Sequence, residues 1–161
     1  MRRAFVIAIA GFMLTPIFSA TAATTVTGIN GQSISVSSTS VRSGDVLRVK
    51  GKGFDETVGI YLAFCVIPKK GQPPTPCGGG VNKLGEGDAS YWISSNPPAY
   101  GVGLAIPFSA GGRFSETVTI SRKIGTFDCT KVKCAITVRS DHLHEGDRTH
   151  DLFIPIKIKR S

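Results

Sequence analysis

Helical periodicity is what this chain lacks most plainly. After residue 22, no segment carries apolar residues at the three-to-four spacing of an amphipathic helix. Without a strand-to-helix unit around it, Gly101-Val102-Gly103 is not a nucleotide-binding loop. Catalytic signatures are missing as well. There is no G-x-S-x-G and no H-E-x-x-H, so the chain reads as non-enzymatic. The C-x-x-C of a dithiol redox site is absent. A zinc knuckle usually needs two paired ligand clusters at C-x₂₋₄-C spacing, and no second such pair exists. Cofactors are therefore expected to be none. Tryptophan occurs once, at Trp92. The N-terminal apolar run, Ala4 to Leu14, is about eleven residues long, against the roughly twenty that a transmembrane helix needs.

That run has its own reading. Met1-Arg2-Arg3 is a basic start, the run has the length of a signal-peptide core, and Ala20-Thr21-Ala22 gives a small-x-small cleavage pattern. Residues 1–22 are expected to be an export signal and 23–161 a single mature domain, secreted or attached to the cell surface, with no transmembrane segment. The rival is an uncleaved anchor. No cysteine follows the run to suggest lipid attachment. Four cysteines in an exported chain read as two disulfides. Of the three pairings, Cys65–Cys77 and Cys129–Cys134 are the local ones, and each spans a segment that can turn back. Pro68 to Pro76 is dense in turn formers. Closing the two loops contributes about 3 and about 2 kcal/mol on a chain-entropy account. The formal net charge is +8, and two fewer without Arg2 and Arg3. Such a balance suits anionic cell-envelope polymers; nucleic acid is not expected as a partner. The lysines alternate in pairs (Lys50 and Lys52, Lys131 and Lys133, Lys157 and Lys159), which also describes the solvated face of a strand.

Strand signals recur through the mature chain. Ser33 to Ser37 alternates; Asp45 to Phe54 runs into a glycine turn; Gly59 to Ile67 is apolar on both faces, as a central strand would be. Phe114, Glu116, Val118 and Ile120 alternate against Ser115, Thr117 and Thr119. Lys133 to Ser140 and Leu152 to Arg160 close the chain, with Ile154, Ile156 and Ile158 facing one way and Pro155 arguing for an edge position or a bulge. Short strands, polar turns and 19 glycines point to an all-β, immunoglobulin-like antiparallel sandwich of about seven strands. Residues 78–112 break the rhythm. Pro97-Pro98 and several glycines make this a long excursion, with Tyr91, Trp92 and Tyr100 placed outside any clean strand. Long loops in compact domains are usually functional, and aromatic content argues against disorder.

"VSSTSVRSGDVLRVKGKGF", "YLAFC", Cys77 and "GTFDCTKVKCAITV" follow one another in an order that resembles the neocarzinostatin family. The resemblance covers roughly residues 33–158, and its most specific element is the pair of local disulfides. Members of that family are secreted apoproteins that carry enediyne antibiotics in a cleft of an immunoglobulin-like sandwich. The resemblance implies one cleft wall on the strand ending at Cys65 and another on the strand after Cys134: Tyr61, Ala63, Cys65, Cys77, Ala135, Thr137 and Arg139. Tyr61 and Arg139 are larger than their family counterparts and are expected to narrow the cleft. The turn Ser121 to Thr126 is shorter than its counterpart, and the 78–112 excursion is longer. The "WISSNPPAYGxG" form also resembles immunoglobulin-like modules of actinobacterial surface proteins, some of which accompany haem-acquisition domains.

The loop Ser140 to Asp151 gathers all three histidines. His142 and His144 have the spacing that puts two side chains on one face of a strand, where Asp141 or Glu145 would complete a metal site; a histidine or a tyrosine would equally serve as a haem ligand. The competing reading is a solvated hairpin loop, still a candidate for recognition. The resulting expectation is a monomeric, non-enzymatic binding protein. It would hold a small apolar or aromatic ligand by shape and by stacking on Trp92, Tyr91 and Tyr61, with Tyr100 in the same loop and Arg139 fixing an acidic group. The rival is a cell-surface module without a small ligand, bound to envelope polymers through charge.

Overall fold

The computed structural model describes residues 23–79 and 89–159. The expected export segment lies outside the described residues, as do residues 80–88 of the excursion. Eleven strands follow in order: β1 (Thr24–Thr27), β2 (Ser33–Val36), β3 (Ser40–Val41), β4 (Val46–Lys52), β5 (Ile60–Val66), β6 (Ser90–Ile93), β7 (Phe114–Thr119), β8 (Lys123–Ile124), β9 (Phe127–Asp128), β10 (Cys134–Ser140) and β11 (Leu152–Ile158). One sheet has the order β1-β2-β4-β7, the other β3-β11-β10-β5-β6, and β8-β9 form a two-stranded ribbon. The first two pack face to face as an antiparallel sandwich, with one short parallel pairing between β3 and β11.

Alternation along the strands builds the core. Leu47 and Val49 point inward from β4 while Val46, Arg48, Lys50 and Lys52 stay in solvent. Phe114 and Val118 do the same on β7, and Ile154, Ile156 and Ile158 on β11. β5 and β10 occupy the middle of their sheet and are buried along almost their whole length. Their inward residues, Ile60, Leu62 and Phe64 with Ile136 and Val138, join the core; their outward residues form the surface described below. Pro155 falls where β11 has a single neighbour, because β3 pairs only at Lys157 and Ile158. Its missing N–H therefore interrupts no ladder. Both local disulfides are formed, Cys65–Cys77 and Cys129–Cys134.

The described part of the excursion, from residue 89 on, is more regular than its composition suggests. Ser90–Ile93 is a true strand, paired with β5 so that Trp92 lies opposite Tyr61 and Tyr91 opposite Leu62. A Tyr-Trp-Ile sequence has high strand propensity, and the prolines that obscure it begin only at Pro97. The chain then makes a single 3₁₀ turn at Ala99–Gly101 and returns to the free edge of β6. There Ile106 N–H donates to Trp92 O (2.9 Å) and Ser94 N–H to Ile106 O (2.9 Å). Among the described residues, no helix is long and apolar enough to cross a membrane.

Candidate ligand-binding site

The outward face of the five-stranded sheet has two distinct zones, set by strand register. In the first, Trp92, Tyr61 and Arg139 lie side by side across β6, β5 and β10. In the second, Ser90, Ala63 and Thr137 form the next row, and Cys65 and Ala135 the row beyond. The second zone is therefore a strip of small side chains, floored by the centre of the sheet and bounded at one end by the Cys65–Cys77 disulfide. Ser90, Ala63, Thr137 and Ala135 are all buried. Thr137 Oγ1 is satisfied by donating to Ala135 O (3.3 Å), but the buried Ser90 hydroxyl has no hydrogen-bond partner.

The large residues close the other end as one interlocked cluster. The Tyr61 ring packs on Trp92 and His142, with centroids 6.3 and 5.9 Å away, and the Arg139 guanidinium sits 5.9 Å from its centre. His142 is held between two phenols: Tyr61 Oη meets Nδ1, and Tyr100 Oη meets Nε2 at 2.6 Å. A neutral imidazole has one N–H and one lone pair, so one tyrosine donates to the ring and the other accepts from it. Trp92 packs between Tyr100 (6.3 Å) and His142 (5.0 Å, edge-on) and is only 2% exposed. Its indole N–H donates to Asp141 Oδ2 (3.0 Å), a fully buried carboxylate. The other oxygen of Asp141 accepts from Leu143 N–H (3.0 Å) and lies 3.4 Å from His144 Nδ1.

Two glycines make this packing feasible. A Cβ on Gly59 would overlap Asp141 Oδ2, and one on Gly101 would overlap the Trp92 ring. Burial, reinforced by the Asp141 charge, pushes the Tyr61 phenol up to about 12, so it stays a neutral hydrogen-bonding group. Further along the loop, Arg148 pairs with Asp151 (3.2 Å), and burial raises the Asp151 carboxyl to about 6 against the pull of that arginine. His150 is buried against Ser140 and Asp147.

The structure thus brings Tyr61, Trp92, Tyr100 and Arg139 together at one end, and Ala63, Ala135 and Thr137 on the adjoining strip. Tyr91 goes elsewhere. It lies on the inward side of β6, against the core, and its hydroxyl donates to Thr117 O (2.6 Å). His142 and His144 do not share a strand face, because β10 ends at Ser140 and both fall in the turns after it. One ring turns to the tyrosines and the other to Asp141, and both nitrogens of His142 are taken by phenols. Among the described residues, no three His, Cys, Asp or Glu side chains are grouped to hold a metal. Sequence reasoning missed Ser90, Gly59 and Gly101, and it weighed Asp141 only for metal binding. The Trp92–Asp141 bond joins residues 49 positions apart, and nothing in either local sequence announces it.

Residues 34–151 match the neocarzinostatin family. The chain belongs to the neocarzinostatin family. Its fold is similar to the solved structure of macromomycin, with a TM-score of 0.50 and 12% identity over 80% of this chain and 99% of that one. At that identity the likeness speaks for the fold. No curated protein sequence matches the chain.

Proposed function

We propose that this neocarzinostatin-family protein is a secreted, non-enzymatic binding protein that holds a small, flat, apolar or aromatic ligand on the strip formed by Ser90, Ala63, Thr137 and Ala135. The observation that carries this reading is the strip itself. Four small side chains on β6, β5 and β10, walled by Tyr61 and Arg139, stand where larger residues would otherwise project from this face; all four are buried, so a ligand reaches them by displacing what now covers them. The unpartnered Ser90 hydroxyl supplies one polar group to orient a ligand. Tyr61 and Arg139 are the wall that touches the ligand, and Arg139 fixes an acidic substituent. Trp92 and Tyr100 act as a buttress behind Tyr61, because the indole is buried and already packed against the Tyr61, Tyr100 and His142 rings. Family membership supports the same reading, since its members carry enediyne antibiotics in a sandwich cleft.

Native mass spectrometry of the mature chain after incubation with extracts of its source tests the proposal. A bound small molecule is expected on the wild type and lost in Ala135→Phe, which fills the strip from a central strand. An adduct that survives that substitution in folded protein, or no adduct from any extract, refutes it.

A further inference from the structure

The opposite face of the sandwich carries a second surface. On β4, Arg48, Lys50 and Lys52 all point outward and are exposed. Strand residues two apart are separated by about 7 Å, so the three cations form a single file along the strand. Neighbouring strands contribute hydroxyls in register: Ser35 and Ser115 flank Lys50 on either side, and Ser33 lies beside Lys52. Arg113 stands at the end of the row, and together these residues line a groove of about 650 Å³. No carboxylate is among the described residues that line it. Glu116, the acid on β7, lies opposite Val49 and so belongs to the inward side. Among the described residues, none of the ion pairs engages these four cations.

Unpaired cations at regular spacing repel one another and lower their energy by meeting an anion of matching spacing. We infer that this groove binds an extended phosphodiester-linked polyol polymer, with successive phosphates over Arg48, Lys50 and Lys52. The donor set favours phosphate over a carboxylate chain. Lys50 stands between Ser35 and Ser115 on three adjacent strands, so one cation and two hydroxyl donors face a single anion, which suits the several oxygens of a phosphate better than the two of a carboxylate. Single-stranded nucleic acid is disfavoured because, among the described residues, the groove presents no exposed aromatic ring for bases to stack on; Phe114, the one aromatic among them, is buried. This surface lies on the other sheet from the small-residue strip and does not depend on that strip being occupied.

Titration calorimetry of the mature chain with a soluble glycerol-phosphate polymer, across a salt series, tests the inference. Three to four contacts predict a slope of log K against log salt of about −2 to −3, at about 0.7 per neutralised charge on a flexible chain. The double variant Arg48→Gln/Lys50→Gln should flatten the slope by about 1.4 and weaken low-salt binding at least tenfold. The double variant Lys131→Gln/Lys133→Gln removes the same charge away from the groove and should stay within about twofold of wild type. Equal loss in both variants would reduce the effect to net charge and overturn the inference. So would absence of binding at low salt, or equal or tighter binding of a uronate polymer or an oligonucleotide of the same charge.

Discussion

Replacing Trp92 with Phe probes the bond that ties the excursion to the histidine loop. The substitution keeps a ring between Tyr61, Tyr100 and His142 but removes the N–H that reaches Asp141 at 3.0 Å. Asp141 is fully buried, so no water replaces the lost donor. A hydrogen bond to a charged acceptor is worth about 1.5–3 kcal/mol. The smaller ring adds about 1 kcal/mol for the space it leaves. The expected total is about 2.5–4 kcal/mol, a large part of the roughly 5–15 kcal/mol available to a domain. Urea unfolding followed by far-ultraviolet circular dichroism measures it, since the variant has no tryptophan to report. The midpoint should fall with little change in slope. A double-mutant cycle with Asp141→Ala should return a coupling of about 1.5–3 kcal/mol; Asp141→Asn serves if the alanine variant does not fold. A coupling under about 0.5 kcal/mol, within the usual range for independent sites, would show that the indole–carboxylate contact carries no energy and that Trp92 is held by ring packing alone.

Gly59→Ala should destabilise by about 1–3 kcal/mol, the usual cost of overpacking, because the added methyl overlaps Asp141 Oδ2; a shift in melting temperature measures it, and an unchanged value would mean that the loop yields freely. Tyr100→Phe removes the bond to His142 Nε2 from an exposed ring, so a loss of about 0.5–1.5 kcal/mol should appear as faster amide exchange in residues 99–105 with global stability nearly intact. Asp151 has a folded-state value of about 6 against an ordinary 3.8. The folded state therefore holds this proton more tightly, and its contribution is fully present below pH 3.8 and lost as pH rises through 6. Asp151→Asn should accordingly gain on wild type between pH 4 and pH 8, as read from urea midpoints at the two pH values; a pH-independent difference would refute it.

The sandwich was legible in the sequence because its strands carry their burial pattern locally. Leu47 and Val49 alternate with lysine and arginine, and Gly59 to Ile67 has no polar side. The family resemblance and the local disulfides were legible for the same reason, since each joins residues close along the chain. β6 was hidden by its neighbours. Glycines and prolines on both sides made Ser90–Ile93 look like loop, although its partner strand supplied all the pairing it needed. The site was legible only in part. Period-two alternation places Tyr61, Ala63, Ala135, Thr137 and Arg139 on one face once β5 and β10 are paired. The fate of Trp92, Tyr91 and the histidines depended on the register of β6 and on turns after Ser140, which are long-range facts. Tyr91 and Trp92 are adjacent in sequence yet end on opposite faces of the sheet, because neighbouring strand residues must.

The two proposed surfaces make opposite demands on the same sandwich, and the fold keeps them apart. The small-residue strip faces outward from the five-stranded sheet, and the cationic groove faces outward from the four-stranded one. Between them lie the inward side chains of both sheets, among them Val36, Val49, Ile136 and Val138, all at most 1% exposed. No strand contributes to both faces, and the cations of β4 protrude into water where anion binding displaces solvent and not core. Coupling between sites requires an element with two arrangements that both ligands bias. A close-packed apolar layer with a single arrangement does not supply one. Saturating the groove with the glycerol-phosphate polymer should therefore change the affinity of a strip ligand by less than about twofold, a coupling under about 0.5 kcal/mol, below the range typical of allosteric pairs. Small-ligand titrations with and without the polymer at fixed ionic strength measure the ratio. A change beyond about fivefold, or about 1 kcal/mol, would mean that polymer binding shifts one sheet over the other, and the separation of the two functions would have to be abandoned.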